Sequence, residues 1–197
     1  MKHRTLSLEE VASLGGVSLA RVRSWIKKKV LRAEQVEGIG LRVHTADMID
    51  FLVRYNMAIP ESIVPLNAKK ILFVHGEGSD TRSFMKFVIN FLMELKKGRR
   101  EFIIDHISYG SEAKMKMMVL RPDLVILDMT GGDKDALAFC TLIKEIEYFS
   151  SVKLIGIIDS ALPVDLTAAI KKCGIEEVVP VSVAIDPFTR KVLEHYL

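Results

Sequence analysis

Residues 21–32 hold six basic side chains (Arg21, Arg23, Lys27, Lys28, Lys29 and Arg32) and no acidic one. A run of this kind suits an anionic partner, because lysine and arginine heads neutralise phosphates and carboxylates. Elsewhere, acids stand directly after apolar runs: Asp128 follows 124–127 and Asp159 follows 154–158, while His75-Gly76-Glu77-Gly78 follows 71–74. Asp128 and Glu77 together could hold a divalent cation weakly, since such ions prefer several oxygen ligands in fixed places. The two glycines around Glu77 could cradle an anion, but one Gly-x-Gly is a weak signal and the Glu77 charge opposes it. No Ser/His/Asp or Cys/His set presents itself, so no catalytic residue, cofactor or metal site is expected and the chain does not read as an enzyme. Cys140 and Cys173 are too few for a metal cage and lie in apolar helical patterns, as reduced core thiols do.

The elements that position these groups follow from length and pattern. The chain has 197 residues, 49% hydrophobic and 27% charged. That is one large domain or two small ones with a core that needs neither disulfides nor a structural metal. Disordered and collagen-like classes are excluded. No apolar run approaches the roughly 18 residues of a membrane span, and the opening MKHRTLSLEE lacks the apolar stretch of a secretion signal. A cytoplasmic protein with no membrane contact is expected. Residues 1–66 carry 10 Lys+Arg against 7 Asp+Glu, whereas the remainder balances at 18 of each. The excess positive charge, and with it the expected anionic partner, therefore belongs to the first third alone.

Between these parts, NMAIPESIVPLN carries Pro60 and Pro65 and no helical period, which predicts a short extended linker. The expected organisation is a domain over 1–56, a linker over 57–68 and a domain over 69–197. In the last, apolar runs at 71–74, 102–107, 124–127, 154–158 and 178–181 alternate with helix-length segments. This predicts an α/β, flavodoxin-like, doubly wound five-stranded parallel sheet, with ligands at the carboxyl ends of its strands.

In the first domain, Ser7-x-x-Glu10 predicts a capping box for a helix that Gly15-Gly16 ends. Ser18 caps a second helix, to about Lys28, whose Leu19, Val22 and Ile26 form one inward stripe. Ala20, Arg21, Ser24, Lys27 and Lys28 point outward, with Trp25 on the border as a packing residue. A hairpin around Gly38-Ile39-Gly40 follows, and Thr45 is expected to cap a third helix to about Arg54. The segments VSLARVRSWIKKKVL and GLRVHTADMIDFL resemble the MerR and excisionase-type winged helix-turn-helix proteins. Val17, Ser18, Val22, Arg23, Trp25 and Leu31 carry the first half of the pattern; Gly40, Arg42, Thr45 and Ile49 carry the second. Lys29 stands where that family usually has glycine, and His44 where it has tyrosine. The resemblance implies a winged helix-turn-helix that binds double-stranded DNA through Arg21, Arg23, Ser24, Lys27, Lys28, Arg42 and His44. Arg23 and Arg42 would reach the phosphate backbone, and Arg21, Ser24 and Lys28 the base edges. His44 is read as packed at the foot of the wing.

The second domain's pattern, ILFVHGEGS…PDLVILDM…LIGIIDSA…CGIEEVVPVS, is similar to CheY-type response-regulator receivers. By that resemblance Asp128 falls on the phosphoacceptor position. The other switch positions hold His75 and Gly76 in place of an acidic pair, with Glu77 beside them. Asp159, or with a one-residue shift Ser160, replaces the hydroxyl, and Val181 replaces the lysine. A phosphoryl group needs a cation and a neutralising lysine, so this reads as a degenerate receiver, a pseudo-receiver. The expected function is a DNA-binding transcription regulator whose receiver-like domain serves dimerisation or partner sensing. A homodimer would pair through about 163–172, 177–180 and 185–196. Two alternatives stand beside it: a response regulator switched by phosphorylation of Asp128, and an interaction adaptor that docks a signalling protein without sequence-specific DNA binding.

Overall fold

The computed structural model describes residues 4–76, 82–97, 101–130, 134–144, 146–159 and 166–197. The chain divides into two compact units, Met1–Leu66 and Asn67–Leu197.

In the first unit, β1 (Thr5–Leu6) leads into α1 (Leu8–Leu14) and α2 (Leu19–Lys27), then the hairpin β2 (Glu34–Val36) and β3 (Gly40–His44), and α3 (Thr45–Arg54). The capping box at Ser7 forms in full: the Glu10 N–H donates to Ser7 Oγ (3.1 Å) and the Ser7 N–H to Glu10 Oε2 (2.6 Å). Ser18 Oγ accepts from the Arg21 N–H at 3.3 Å and starts α2. Two departures follow from long-range contacts. Thr45 is the first helical residue of α3, not its cap; its hydroxyl and its N–H both donate to the Arg4 carbonyl, at 2.7 and 3.0 Å, and His44 holds the cap position. This works because β1, a strand absent from the sequence reading, pairs antiparallel with β3 and places Thr5 opposite His44. The small sheet thus runs β1-β3-β2. On the inward stripe of α2, Val22 is fully buried while Leu19 and Ile26 are half-buried. The stretch 57–68, expected as a linker, contains buried Ile59 and a single 3-10 turn, Glu61–Ile63, with Ile63 buried; Arg4 donates to the Ser62 carbonyl at 3.2 Å. These isoleucines fold the segment back onto its own unit, whose boundary falls at Leu66.

The second unit alternates β4 (Lys69–His75), α4 (Arg82–Leu95), β5 (Phe102–Ser108), α5 (Ser111–Leu120), β6 (Leu124–Asp128), α6 (Lys134–Lys144), β7 (Lys153–Ile158), α7 (Leu166–Lys172), β8 (Glu177–Pro180) and α8 (Ile185–His195). Its strands are all parallel, in the order β5-β4-β6-β7-β8. This is the doubly wound arrangement the alternation predicted. Because side chains alternate across a strand, Ile71, Phe73, Leu124, Ile126, Ile155 and Ile157 face one helical layer. There they pack with Phe84, Phe87 and Phe91 of α4 and Phe188 and Val192 of α8. The intervening Leu72, Val74, Val125, Leu127 and Leu154 are also buried, which requires a second layer, supplied by α5, α6 and α7. Cys140 is buried and Cys173 half-buried, both free thiols. No described helix is long and apolar enough to cross a membrane.

Candidate functional site

In doubly wound sheets the strand ends converge on a crevice where chain connections diverge to opposite faces. Here that point lies between β4 and β6. At the end of β4, His75 Nδ1 donates to the Gly76 carbonyl (2.7 Å), and its ring lies tilted against His106 of β5, with centroids 5.7 Å apart. Neither residue 75 nor 76 contributes a carboxylate. Glu77 lies outside the described residues, as does Ser160.

At the end of β6, Asp128 is 4% exposed. Its Oδ1 accepts from both the Thr130 N–H (2.9 Å) and the Thr130 hydroxyl (2.6 Å), a local turn that occupies one carboxylate oxygen. Its main-chain carbonyl accepts from the Tyr109 hydroxyl at 2.8 Å. Tyr109 lies just beyond β5, and its N–H donates to the His75 carbonyl at 2.8 Å. Because β4 separates β5 from β6, the tyrosine reaches across the end of β4. Its ring meets Phe139 of α6 edge-on at 6.0 Å. Burial, and then the nearby Asp128, Cys140 and Asp135, push the Tyr109 hydroxyl far above the usual tyrosine range, so it stays a donor. The sequence reading did not single out Tyr109; its only signal was an aromatic-glycine pair closing the second apolar run.

The remaining positions are also without positive charge. Asp159 is exposed at the end of β7. The Val181 N–H donates to the Ile158 carbonyl (2.7 Å) while its side chain packs on the core. Lys116 of α5 is bound to Asp105 of β5 in an ion pair whose side chains are 6% and 12% exposed, so this amine is committed at the sheet edge. The divalent cation that receivers hold does not fit these residues. Residues 75 and 76 offer a carbonyl-bound imidazole and a glycine, Asp128 has one oxygen satisfied by Thr130, and among the described residues no group of three or more His, Cys, Asp or Glu could hold a metal.

The basic residues of the first unit form a second candidate surface. Arg21, Arg23 and Lys27 are exposed on α2, and Lys28 is exposed at its C-cap; Ser24, Arg42 and His44 are half-buried. Trp25 packs on Phe51 of α3 with centroids 4.6 Å apart, and the Arg21 guanidinium lies 6.0 Å above the Trp25 ring. His44 Nε2 meets Glu34 Oε1 across the hairpin at 3.1 Å. The Glu9 carboxyl is held below its ordinary range, first by its hydrogen bonds to backbone and Ser7, and then by the charges of Arg23 and Arg42. At the exit of α2, Lys29 adopts a left-handed φ of 58°. Its N–H donates to the Ile26 carbonyl (2.9 Å) and the Val30 N–H to the Trp25 carbonyl (3.0 Å), the paired bonds of a Schellman end.

Comparison with solved structures places the second unit in the receiver fold. The chemotaxis response regulator CheY4 of Vibrio cholerae matches with a TM-score of 0.50 and 17% identity, over 66% of this chain and 99% of that one. The receiver domain of a DNA-binding response regulator (merR) from Colwellia psychrerythraea 34H matches at 0.49 and 20%, over 64% and 96%. HP1043, an orphan response regulator of H. pylori, matches at 0.49 and 18%, over 66% and 97%. No protein-family model matches the chain, and no curated protein matches its sequence. The second unit thus shares the α/β fold of CheY4.

Proposed function

We propose that the protein is a cytoplasmic DNA-binding transcription regulator, with a winged helix-turn-helix head and a receiver-like domain that works without aspartyl phosphorylation. The observation that carries the DNA reading is the set of exposed basic side chains Arg21, Arg23 and Lys27 on α2 and Lys28 at its end, together with Arg42 on the hairpin. A helix of this length with a basic outer face fits a major groove, and an arginine on the adjoining hairpin fits the flanking phosphates. A homodimer would present two heads to two half-sites and multiply a modest single-head affinity.

Against phosphorylation stand the missing acidic pair, the absent lysine and the Thr130 bonds to Asp128. The receiver-like domain then serves dimerisation or the docking of a signalling partner.

The test is binding of the full chain to a random-sequence duplex DNA pool, and then to the sites selected from it, across a salt series. Binding should weaken with salt, and Arg42→Ala should lower the log–log slope by about 0.9, one phosphate contact. Arg21→Ala should cost about 1–3 kcal/mol on the selected site and relax its sequence preference. Salt-independent or absent binding to duplex DNA refutes the reading and favours the adaptor.

A further inference from the structure

The strand ends of the second unit enclose a cleft of about 580 Å³, bounded by Gly76 after β4, Tyr109 and Gly110 after β5, and Asp135, Phe139 and Leu142 on one face of α6. This volume lies within the range of small-molecule sites, and the place is the switch point where such folds bind ligands. Two glycines leave the walls free of side chains where the chain turns. Tyr109 and Phe139, edge-on to each other, supply aromatic surface, and Leu142 supplies apolar surface. Among the described residues of the lining, Asp135 is the one that carries a charge, and none is a lysine or arginine. It is exposed in the first turn of α6, where the helix dipole favours a carboxylate. Asp128 lies close by, its carbonyl held by the Tyr109 hydroxyl.

We propose that this cleft binds a small planar aromatic cation, with its ring against Tyr109 and Phe139 and its ammonium group on the Asp135 carboxylate. An aromatic wall attracts cations through the negative ring face, and a carboxylate at the mouth adds a charge-assisted hydrogen bond. The charges of both Asp128 and Asp135 are felt at Tyr109, so the wall lies in negative potential. An anion such as phosphate would meet that potential with no basic partner among the described lining residues. Such a ligand gives the receiver-like unit an input other than phosphorylation. The proposal goes beyond the DNA-binding reading and does not depend on it, because its test contains no DNA.

Tryptamine, protonated at neutral pH, is the probe, and indole-3-propionate, with the same ring and the opposite charge, is its control. Titration calorimetry on the full chain should detect tryptamine and not the propionate. Asp135→Asn should weaken tryptamine about tenfold, the effect of one charged hydrogen bond. Ala138→Phe, which adds bulk from the exposed side of α6 into the same cleft, should abolish binding. Absence of tryptamine binding at millimolar concentration, equal binding of the propionate, or binding that neither substitution alters would each overturn the proposal.

Discussion

The Tyr109 hydroxyl donates to the main-chain carbonyl of Asp128 at 2.8 Å and ties the end of the edge strand β5 to the end of β6, over β4 between them. Tyr109→Phe removes that donor and should cost about 0.5–1.5 kcal/mol in urea unfolding. The raised pKa also sets a pH dependence. In the unfolded chain a tyrosine ionises near pH 10, whereas folded Tyr109 keeps its proton. The folded state then binds more protons than the unfolded one, so stability is full below about pH 10 and falls as pH rises beyond it. Tyr196, pushed up to about 12 by burial and its bond to Glu177, acts with the same sign. Urea midpoints measured across this alkaline range should fall less steeply in Tyr109→Phe than in the parent.

Asp128 should take up no stable phosphoryl group from a small phosphodonor with magnesium. The first strand end lacks the acidic pair, and Val181 brings no charge to neutralise a dianion. Two like unit charges about 4 Å apart repel by roughly 4 kcal/mol at an effective dielectric constant near 20. Intact mass after donor treatment should be unchanged, and Asp128→Asn should bind DNA as the parent does. A phosphoryl mass that disappears in Asp128→Asn would establish the phosphorylation switch instead.

In the Lys116–Asp105 pair the lysine is buried and the aspartate nearly so, and Asp105 Oδ1 also accepts from the His106 N–H at 2.8 Å. Removing one partner leaves an uncompensated buried charge, so Lys116→Met should destabilise the chain by about 3–5 kcal/mol. Adding Asp105→Asn to Lys116→Met should recover part of that loss. A double-mutant cycle in urea unfolding measures the coupling, and additive effects would show the two groups to be independent.

Lys29 occupies a left-handed conformation at the end of α2, where the resembled family usually has glycine. Side chains in this region cost roughly 1 kcal/mol, which glycine avoids. Part of that gain is offset by glycine's freer unfolded chain, so Lys29→Gly should stabilise the head by up to about 1 kcal/mol. Thermal melting gives the sign, and a lower midpoint would mean that the Lys29 side chain contributes more than its backbone costs.

Much of this molecule is local, and what is local was legible in the amino-acid order. Ser7, Glu10 and Ser18 act within one helical turn, so their caps follow from spacing alone. The three central apolar runs bury both faces of a strand, and the alternation of all five with helices left few topologies open. What joins residues far apart in the chain was not legible. Thr45 reads as a cap until β1 brings the Arg4 carbonyl to its hydroxyl, 41 positions away. Ile59 and Ile63 read as linker residues because their burial depends on the unit they fold against. Tyr109 and Asp128 stand at the ends of strands that are not even neighbours, and the cleft that Tyr109 borders draws on the ends of β4 and β5 and on α6 together. Spacing dictates which way a side chain leaves its own element; only the packing of the whole sheet determines which partner it meets.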